Sequence, residues 1–300
     1  MTTLHSAAGT EAARPEAIKG ESLMQDACRR LLQNRATMIS LFILGIIVLM
    51  SFLVPLFSAV EVDEIFWDHM GSGPTTEENL WFGTDHNGRD LFIRTMYGGQ
   101  ISLSVALVAT IVSLIIGVAY GAISGYMGGR VDNVMMRLVD ILYSLPFMFL
   151  VILMMVVFGR SIFLIYIAIG AVEWLDMARI VRGQTLALKR QEFVSAAHAL
   201  GVSDKMIVLR HIIPNAIGPV IVYVTLTVPK VILLESFLSF LGLGVQEPMT
   251  SWGVLISEGT GNMESAPWML FFPAAFLAIT LFCLNFIGDG LRDALDPKSR

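Results

Sequence analysis

Hydrophobic positions along this chain fall in long runs rather than in short alternating patterns. A helix that crosses about 30 Å of hydrocarbon needs roughly 20 apolar residues. Stretches free of Asp, Glu, Lys and Arg approach or exceed that length at 38–60, at 95–129 with the most apolar part near 101–126, at 141–159 and at 266–288. Two further runs are interrupted: 161–178 carries Glu173 and Asp176, and 214–244 carries Lys230 and Glu235. The pattern predicts an all-α integral membrane fold with six transmembrane helices. Glu173 and Asp176 are placed at a membrane interface, where a carboxylate costs less than at mid-bilayer.

Ahead of the first run, Leu23, Met24, Ala27, Leu31 and Leu32 recur at helical spacing beside Arg29, Arg30 and Arg35. That arrangement fits an interfacial helix on anionic headgroups and equally a solvated stub. Segment 1–37 does not read as a cleaved signal peptide, being long, mixed in charge and followed by too long an apolar run.

Composition agrees with a membrane protein: 55% of the 300 residues are hydrophobic, 15% are charged and the mean hydropathy is +0.70. Such apolar content excludes disorder, and a net charge of -5 argues against nucleic-acid binding. Cys28 and Cys283 lie in unlike segments, so no disulfide is expected. Lys and Arg stay on the cytoplasmic side of short loops. Sixteen of the 20 fall on the side of the N-terminus in a six-span arrangement, and Arg89, Arg94 and Arg160 fall on the other. The split predicts both termini in the cytoplasm.

The first outer loop, 61–100, then has eight acids against two arginines, and the second, 245–265, has three acids and no base. Such loops are either ordinary solvated surface or a landing site for a soluble partner. Trp67, Trp81 and Trp252 among the acids suit a partner surface, with Glu77, Glu78 and Glu247 as the candidate docking charges.

The inner segment 191–213 is polar and split by a glycine. Phe193, Ala197 and Leu200 fall at i, i+4 and i+7; Gly201 suits a left-handed cap; and Ser203 suits the cap of a second helix that stops before Pro214. A helix-turn-helix of this kind either docks in a groove of another protein or lies on the membrane. Within the second run, Gly117, Gly121 and Gly125 share one helix face and invite close approach of another helix. Lys230 and Glu235, five apart, stand about 140° round a helix from each other, so each needs another partner or water. Pro229 can bend that helix so that both face a translocation pathway, Glu235 being the better candidate.

Catalytic signatures are absent from the sequence. Glycine is never followed by Lys-Ser or Lys-Thr, so there is no P-loop, and HExxH, CxxC and GxSxG do not occur. Asp85, Asn87 and Asp90 have the wrong glycine position for a calcium loop, and the five histidines are scattered. A secondary transporter should show internal repeats with midplane acids, and a membrane enzyme should show clustered reactive groups; neither pattern is found.

Segment 191–215 resembles the cytoplasmic loop of permease subunits in ATP-binding-cassette (ABC) importers. The family's E-A-A, three residues, G, then L-P stands here as Ser195-Ala196-Ala197, Gly201 and Ile213-Pro214, with Glu192 three residues ahead. Other blocks are similar to the dipeptide, oligopeptide and nickel group. They are Phe82-Gly83-Thr84-Asp85 with Gly88-Arg89-Asp90, Ser124-Gly125-Tyr126, Glu235-Ser236-Phe237-Leu238-Ser239, Ser251-Trp252-Gly253 and Asn285-Phe286-Ile287-Gly288-Asp289-Gly290. Trp174 to Leu186, with the Glu235 block, looks most like the second permease of oligopeptide importers.

The resemblance implies a type I ABC importer permease fold. It implies a heteromer with a homologous permease, two cytoplasmic ATPases and an external peptide-binding protein, in a bacterial inner membrane. ATP and magnesium would be bound by the ATPases and no cofactor by this chain, which is not itself an enzyme. The expected division is a cytoplasmic segment 1–37, a first transmembrane helix 38–60, a periplasmic loop 61–100, a permease core 101–290 with a coupling loop at about 187–213, and a tail 291–300. Glu192, Ala196, Ala197 and Gly201 would touch the ATPase, and Lys230 and Glu235 would face the pathway. A dipeptide or nickel permease and an ion-coupled secondary transporter are the alternatives.

Overall fold

The computed structural model describes residues 23–159 and 161–295. Regular structure among them is helical, apart from isolated bridge pairs in the loop before the second long helix. The chain forms α1 (Leu23–Gln33), α2 (Arg35–Phe57), α3 (Leu91–Met127), α4 (Gly129–Ser144), α5 (Phe147–Phe158), α6 (Ile162–Leu188), α7 (Glu192–Ala199), α8 (Asp204–Ile207), α9 (Ile213–Phe240), α10 (Trp252–Gly261) and α11 (Trp268–Leu295). Arg14, Lys19, Arg160, Lys298 and Arg300, which enter the predicted charge split, lie outside the described residues, as do the side chains of Leu23, Met24 and Ala27.

Caps set where the helices begin. Asn34 accepts from the amides of Ala36 and Thr37 and separates α1 from α2, so the first apolar helix starts at Arg35 rather than at 38. Asp90 accepts from Phe92 and Ile93 and starts α3. With 37 residues, α3 is about 55 Å long at 1.5 Å per residue. It therefore joins the two ends of the bundle, the looped end at Leu91 and the hairpin end at Met127.

Four helical stretches among the described residues are long and apolar enough to cross a membrane: Arg35–Phe57, Leu91–Met127, Asp204–Phe240 and Trp268–Leu295. The predicted span at 141–159 is not straight. Pro146 forces Leu145 into extended backbone (φ -74°, ψ 131°), and the chain turns by 80° between α4 and α5, which together count as a fifth crossing if the bent pair is one span. α6 is one continuous helix of 27 residues that carries Glu173, Asp176, Arg179 and Arg182, so its polarity hides it from a hydropathy criterion.

The second inner helix does not stop before Pro214. α8 passes through a π turn at Val208–Ile212 straight into α9. Pro214 sits in the first turn of α9, where its missing N–H costs little, and the wider π turn gives room to its ring.

The three glycines of α3 serve the close packing expected of them. A β-carbon on Gly117 would stand 2.5 Å from that of Met177, and one on Gly125 would stand 2.8 Å from the Arg182 carbonyl. One on Gly121 would meet the Ala178 carbonyl, so α6 lies directly along α3. Val105, Ala106 and Ala109 of α3 continue that contact into a core with Ile165, Ala168 and Ile169 of α6 and Val231 and Ile232 of α9.

Candidate functional site

At the hairpin end, α7 closes with a full Schellman turn. The Val202 amide donates to the Ala197 carbonyl (3.1 Å) and the Gly201 amide to the His198 carbonyl (3.0 Å), with Gly201 at φ +77°. Ser203 precedes α8 but its side chain makes no capping hydrogen bond, because the helix continues from α8 into α9 and its start is held by packing. Val194, Ala197, Ile207 and Ile212 pack inward against Tyr126, with Leu188 and Val202 beside them. The opposite face is open: Phe193 is 40% exposed, Leu200 83%, Met206 46% and Leu209 52%.

This arrangement corrects part of the predicted contact. Ala197, 6% exposed, turns toward the protein with Val194, because a helix burying both i and i+3 against Tyr126 must send Phe193 and Leu200 outward. Glu192, Ala196 and Gly201 are exposed as a contact surface requires.

The hairpin is fastened to the end of α3. The Tyr126 hydroxyl donates to Asp204 Oδ1 (2.7 Å) and lies 3.0 Å from His198 Nε2, while Lys189 donates to the Tyr126 carbonyl. One turn away Asp132 accepts from Ser124 Oγ (2.6 Å) and from Arg182 through two nitrogens (2.8 and 2.5 Å). Bidentate guanidinium–carboxylate pairing fixes orientation as well as distance. It locks α3, α4 and α6 at the point from which α7 departs. None of Tyr126, His198, Asp204, Asp132 and Arg182 was singled out from sequence, and their separations of 50 to 78 residues leave no local signal.

Halfway along the bundle, Lys230 meets Glu173 at 3.0 Å and Asp176 at 3.3 Å. Glu173 is buried between helices rather than placed at an interface, because Lys230 supplies the opposite charge there. Lys230 itself is half exposed and lines a recess of about 400 Å³ with Tyr143, Pro146 and Leu150 of the α4–α5 elbow. Glu235 is different: it is 0% exposed and accepts from Ser102 (2.9 Å) and Ser239 (2.7 Å). Its carboxylate thus joins α3 to α9 internally, and the expectation that it faces a pathway is overturned. The two charges point to different sides of α9, as their spacing requires.

At the looped end, Asp85 accepts from Arg89 Nε (2.7 Å), from Arg94 Nη1 (2.5 Å) and from the amides of Asn87 and Arg89. Burial works to raise the Asp85 pKa, but the Arg89 amide and the Arg94 and Arg89 charges outweigh it and hold the carboxyl below its ordinary range. Asp90 has no such cation, and burial raises it. Arg94 reaches Glu258 (3.3 Å) and Arg89 reaches Glu247 (2.9 Å), so the loop before α3 is tied to α10 and to the loop ahead of it. Glu77 is exposed, Glu78 pairs with His69 (2.9 Å) and Glu247 with Arg89, so two of the three docking charges have local partners. Trp67 and Trp81 are exposed, but Trp252 is fully buried, its indole donating to the Thr95 carbonyl (3.0 Å), and it leaves the candidate surface.

Comparison with known proteins places this geometry. Residues 117–300 match the family described as binding-protein-dependent transport system inner membrane component, and residues 22–74 match the N-terminal TM domain of oligopeptide transport permease C. The chain is 58% identical over 283 residues to the oligopeptide transport system permease protein OppC of Escherichia coli K12, covering 94% of each. It is 56% identical over 283 residues to that of Haemophilus influenzae, covering 94% of this chain and 91% of the relative. In fold it is similar to a chain of the MetNI methionine ABC transporter in an inward-facing conformation, with a TM-score of 0.54 at 18% identity over 69% of this chain and 96% of the other.

Proposed function

This chain belongs to the family of binding-protein-dependent transport system inner membrane components, the multi-pass permeases of bacterial ABC importers. From that membership we propose that it is the permease subunit of an ATP-driven oligopeptide importer, forming half of the pathway. The observation that carries the reading is the hairpin. α7 and α8 present Phe193, Leu200, Met206 and Leu209 with Glu192, Ala196 and Gly201 on an exposed face, clasped to α3 by Tyr126. An apolar face held rigidly is suited to enter a groove of a partner and transmit its movement. The partners in this reading are a homologous permease, two cytoplasmic ATPases that bind ATP and magnesium, and an external peptide-binding protein.

The hairpin and both termini would then lie in the cytoplasm, with α2, α3, α4–α5, α6, α9 and α11 as six spans. A cysteine at Thr76 should react with an impermeant thiol reagent in spheroplasts and one at Lys205 should not; reversed labelling would overturn the orientation. Lys230 is the pathway residue in this arrangement, since a half-exposed ammonium on a spanning helix is tolerated beside water or a partner and not beside lipid. Glu77, Glu78 and Glu247 would act on the rate at which the binding protein arrives rather than on the strength of its complex. The functional test is the purified complex: its ATPase should rise with peptide-loaded binding protein, and a complex indifferent to peptide would refute the assignment.

A further inference from the structure

At the looped end a notch of about 510 Å³ opens between the segment before α3 and the segment before α10. Ile65, Trp67, Met70, Arg89, Glu247 and Pro248 line it. Its backbone is held in place by the Ile65–Arg89 bridge, the Phe66 amide on the Gly88 carbonyl (2.8 Å) and the Asp85 amide on the Arg89 carbonyl (3.0 Å). Arg89 is 6% exposed, with Nε on Asp85 and Nη1 on Glu247. Its Nη2 is buried with no hydrogen-bond partner among the described residues. A buried guanidinium N–H left without an acceptor is uncommon and calls for one. Around it the rim is apolar and open: Trp67 is 73% exposed, Met70 48% and Ile65 37%.

The charge of the notch selects what can fill it. Asp85 and Glu247 already outnumber the Arg89 charge, and Asp63 adds a third carboxylate at the rim. An incoming carboxylate is repelled there, whereas a neutral oxygen can take the free N–H and a cation is welcome at the edge. The same acidity disfavours a second copy of this surface.

We propose that this notch is the docking point for one loop of the soluble binding protein. The loop places a carbonyl oxygen on Arg89 Nη2, a large apolar side chain over Trp67, and a lysine or arginine beside Asp63 and Glu247. The proposal rests on the importer reading and names the site at which its external partner engages. Tryptophan and arginine at the centre of a desolvated patch are the residue types that dominate binding energy in protein interfaces.

The test uses the complete complex in proteoliposomes, with ATPase rate measured against the concentration of its binding protein loaded with pentaalanine. Trp67→Ala should raise the half-saturating concentration about tenfold or more, as loss of a central tryptophan does, and leave the maximal rate unchanged. Asp63→Lys should raise it at low salt, with the deficit shrinking as salt screens the contact. Trp81→Ala removes an exposed tryptophan of the same loop outside the notch and should change nothing. An unchanged half-saturation in Trp67→Ala, or an equal shift in Trp81→Ala, overturns the proposal while the importer reading stands. If Trp67→Ala instead separates paired complexes without moving half-saturation, the notch binds a second copy and the proposal also falls. A wild-type complex that binding protein does not stimulate refutes the importer reading, and the docking site with it.

Discussion

The Tyr126 hydroxyl stands 2.7 Å from Asp204 Oδ1, so the last turn of a helix about 55 Å long holds the far arm of the hairpin directly. With His198 Nε2 at 3.0 Å from the same oxygen, one phenol spans both sides of the Gly201 turn. Tyr126→Phe keeps the ring against Val194 and Ile207 and removes only the hydroxyl. Its expected cost is about 1 kcal/mol, the net worth of an ordinary hydrogen bond. Peptide uptake per ATP hydrolysed should fall while the protein still reaches the membrane; an unchanged ratio would show that the clasp does not carry motion.

Gly201 takes φ +77° with open space where a side chain would be, so replacing it strains only the backbone. Gly201→Val should cost about 1 kcal/mol or more and misorient α7 against α8. The ATPases should copurify less well and uptake should fall, with the amount in the membrane preserved. Normal uptake would remove the turn from the coupling surface.

The Asp85 network gives the looped end a defined acid dependence. Its folded pKa lies below the ordinary 3.8, so its contribution to stability is complete above the unfolded value and is lost as pH falls through the folded one. Asp90 is shifted the other way and opposes folding once ionised. Thermal unfolding should therefore weaken through Asp85 only below about pH 4. Asp85→Asn should be destabilised at neutral pH by about 3–5 kcal/mol, because Arg89 and Arg94 lose their buried counter-ion, and its loss on acidification should be shallower. Parallel curves for the two proteins would contradict this.

The apolar runs, the Gly201 turn and the glycine face of α3 were legible because each is written in residues close together in the chain. Ala197 and Glu235 were misplaced because spacing tells which residues share a face and not which face another helix covers. Here Tyr126 covers the Val194–Ala197 face, and Ser102 reaches Glu235 from 133 residues away. Pro146 was visible as a residue, but an elbow of 80° depends on how α5 packs against α6, which no local signal records. The eight acids of the first outer loop look alike in sequence, yet Asp85 and Asp90 are buried structural groups while Glu77 is exposed.

Lys230 separates a structural from a pathway role. Lys230→Met leaves Glu173 buried without its cation, and the variant Lys230→Met with Glu173→Gln removes both charges. The double variant should recover thermal stability, as replacement of whole buried pairs commonly does, yet still import peptide at least about tenfold more slowly than wild type, a barrier change of about 1.4 kcal/mol. Recovery of uptake along with stability would make the pair a packing feature only.

The central claim is that this chain moves peptide by borrowing the energy of ATP hydrolysis, and the most direct measurement is peptide uptake into proteoliposomes holding the complete complex. With peptide-loaded binding protein on one side and ATP on the other, uptake should proceed, continue when ionophores collapse all ion gradients, and stop when ATP is withheld. Uptake that runs on an ion gradient without ATP would contradict the account and restore an ion-coupled transporter.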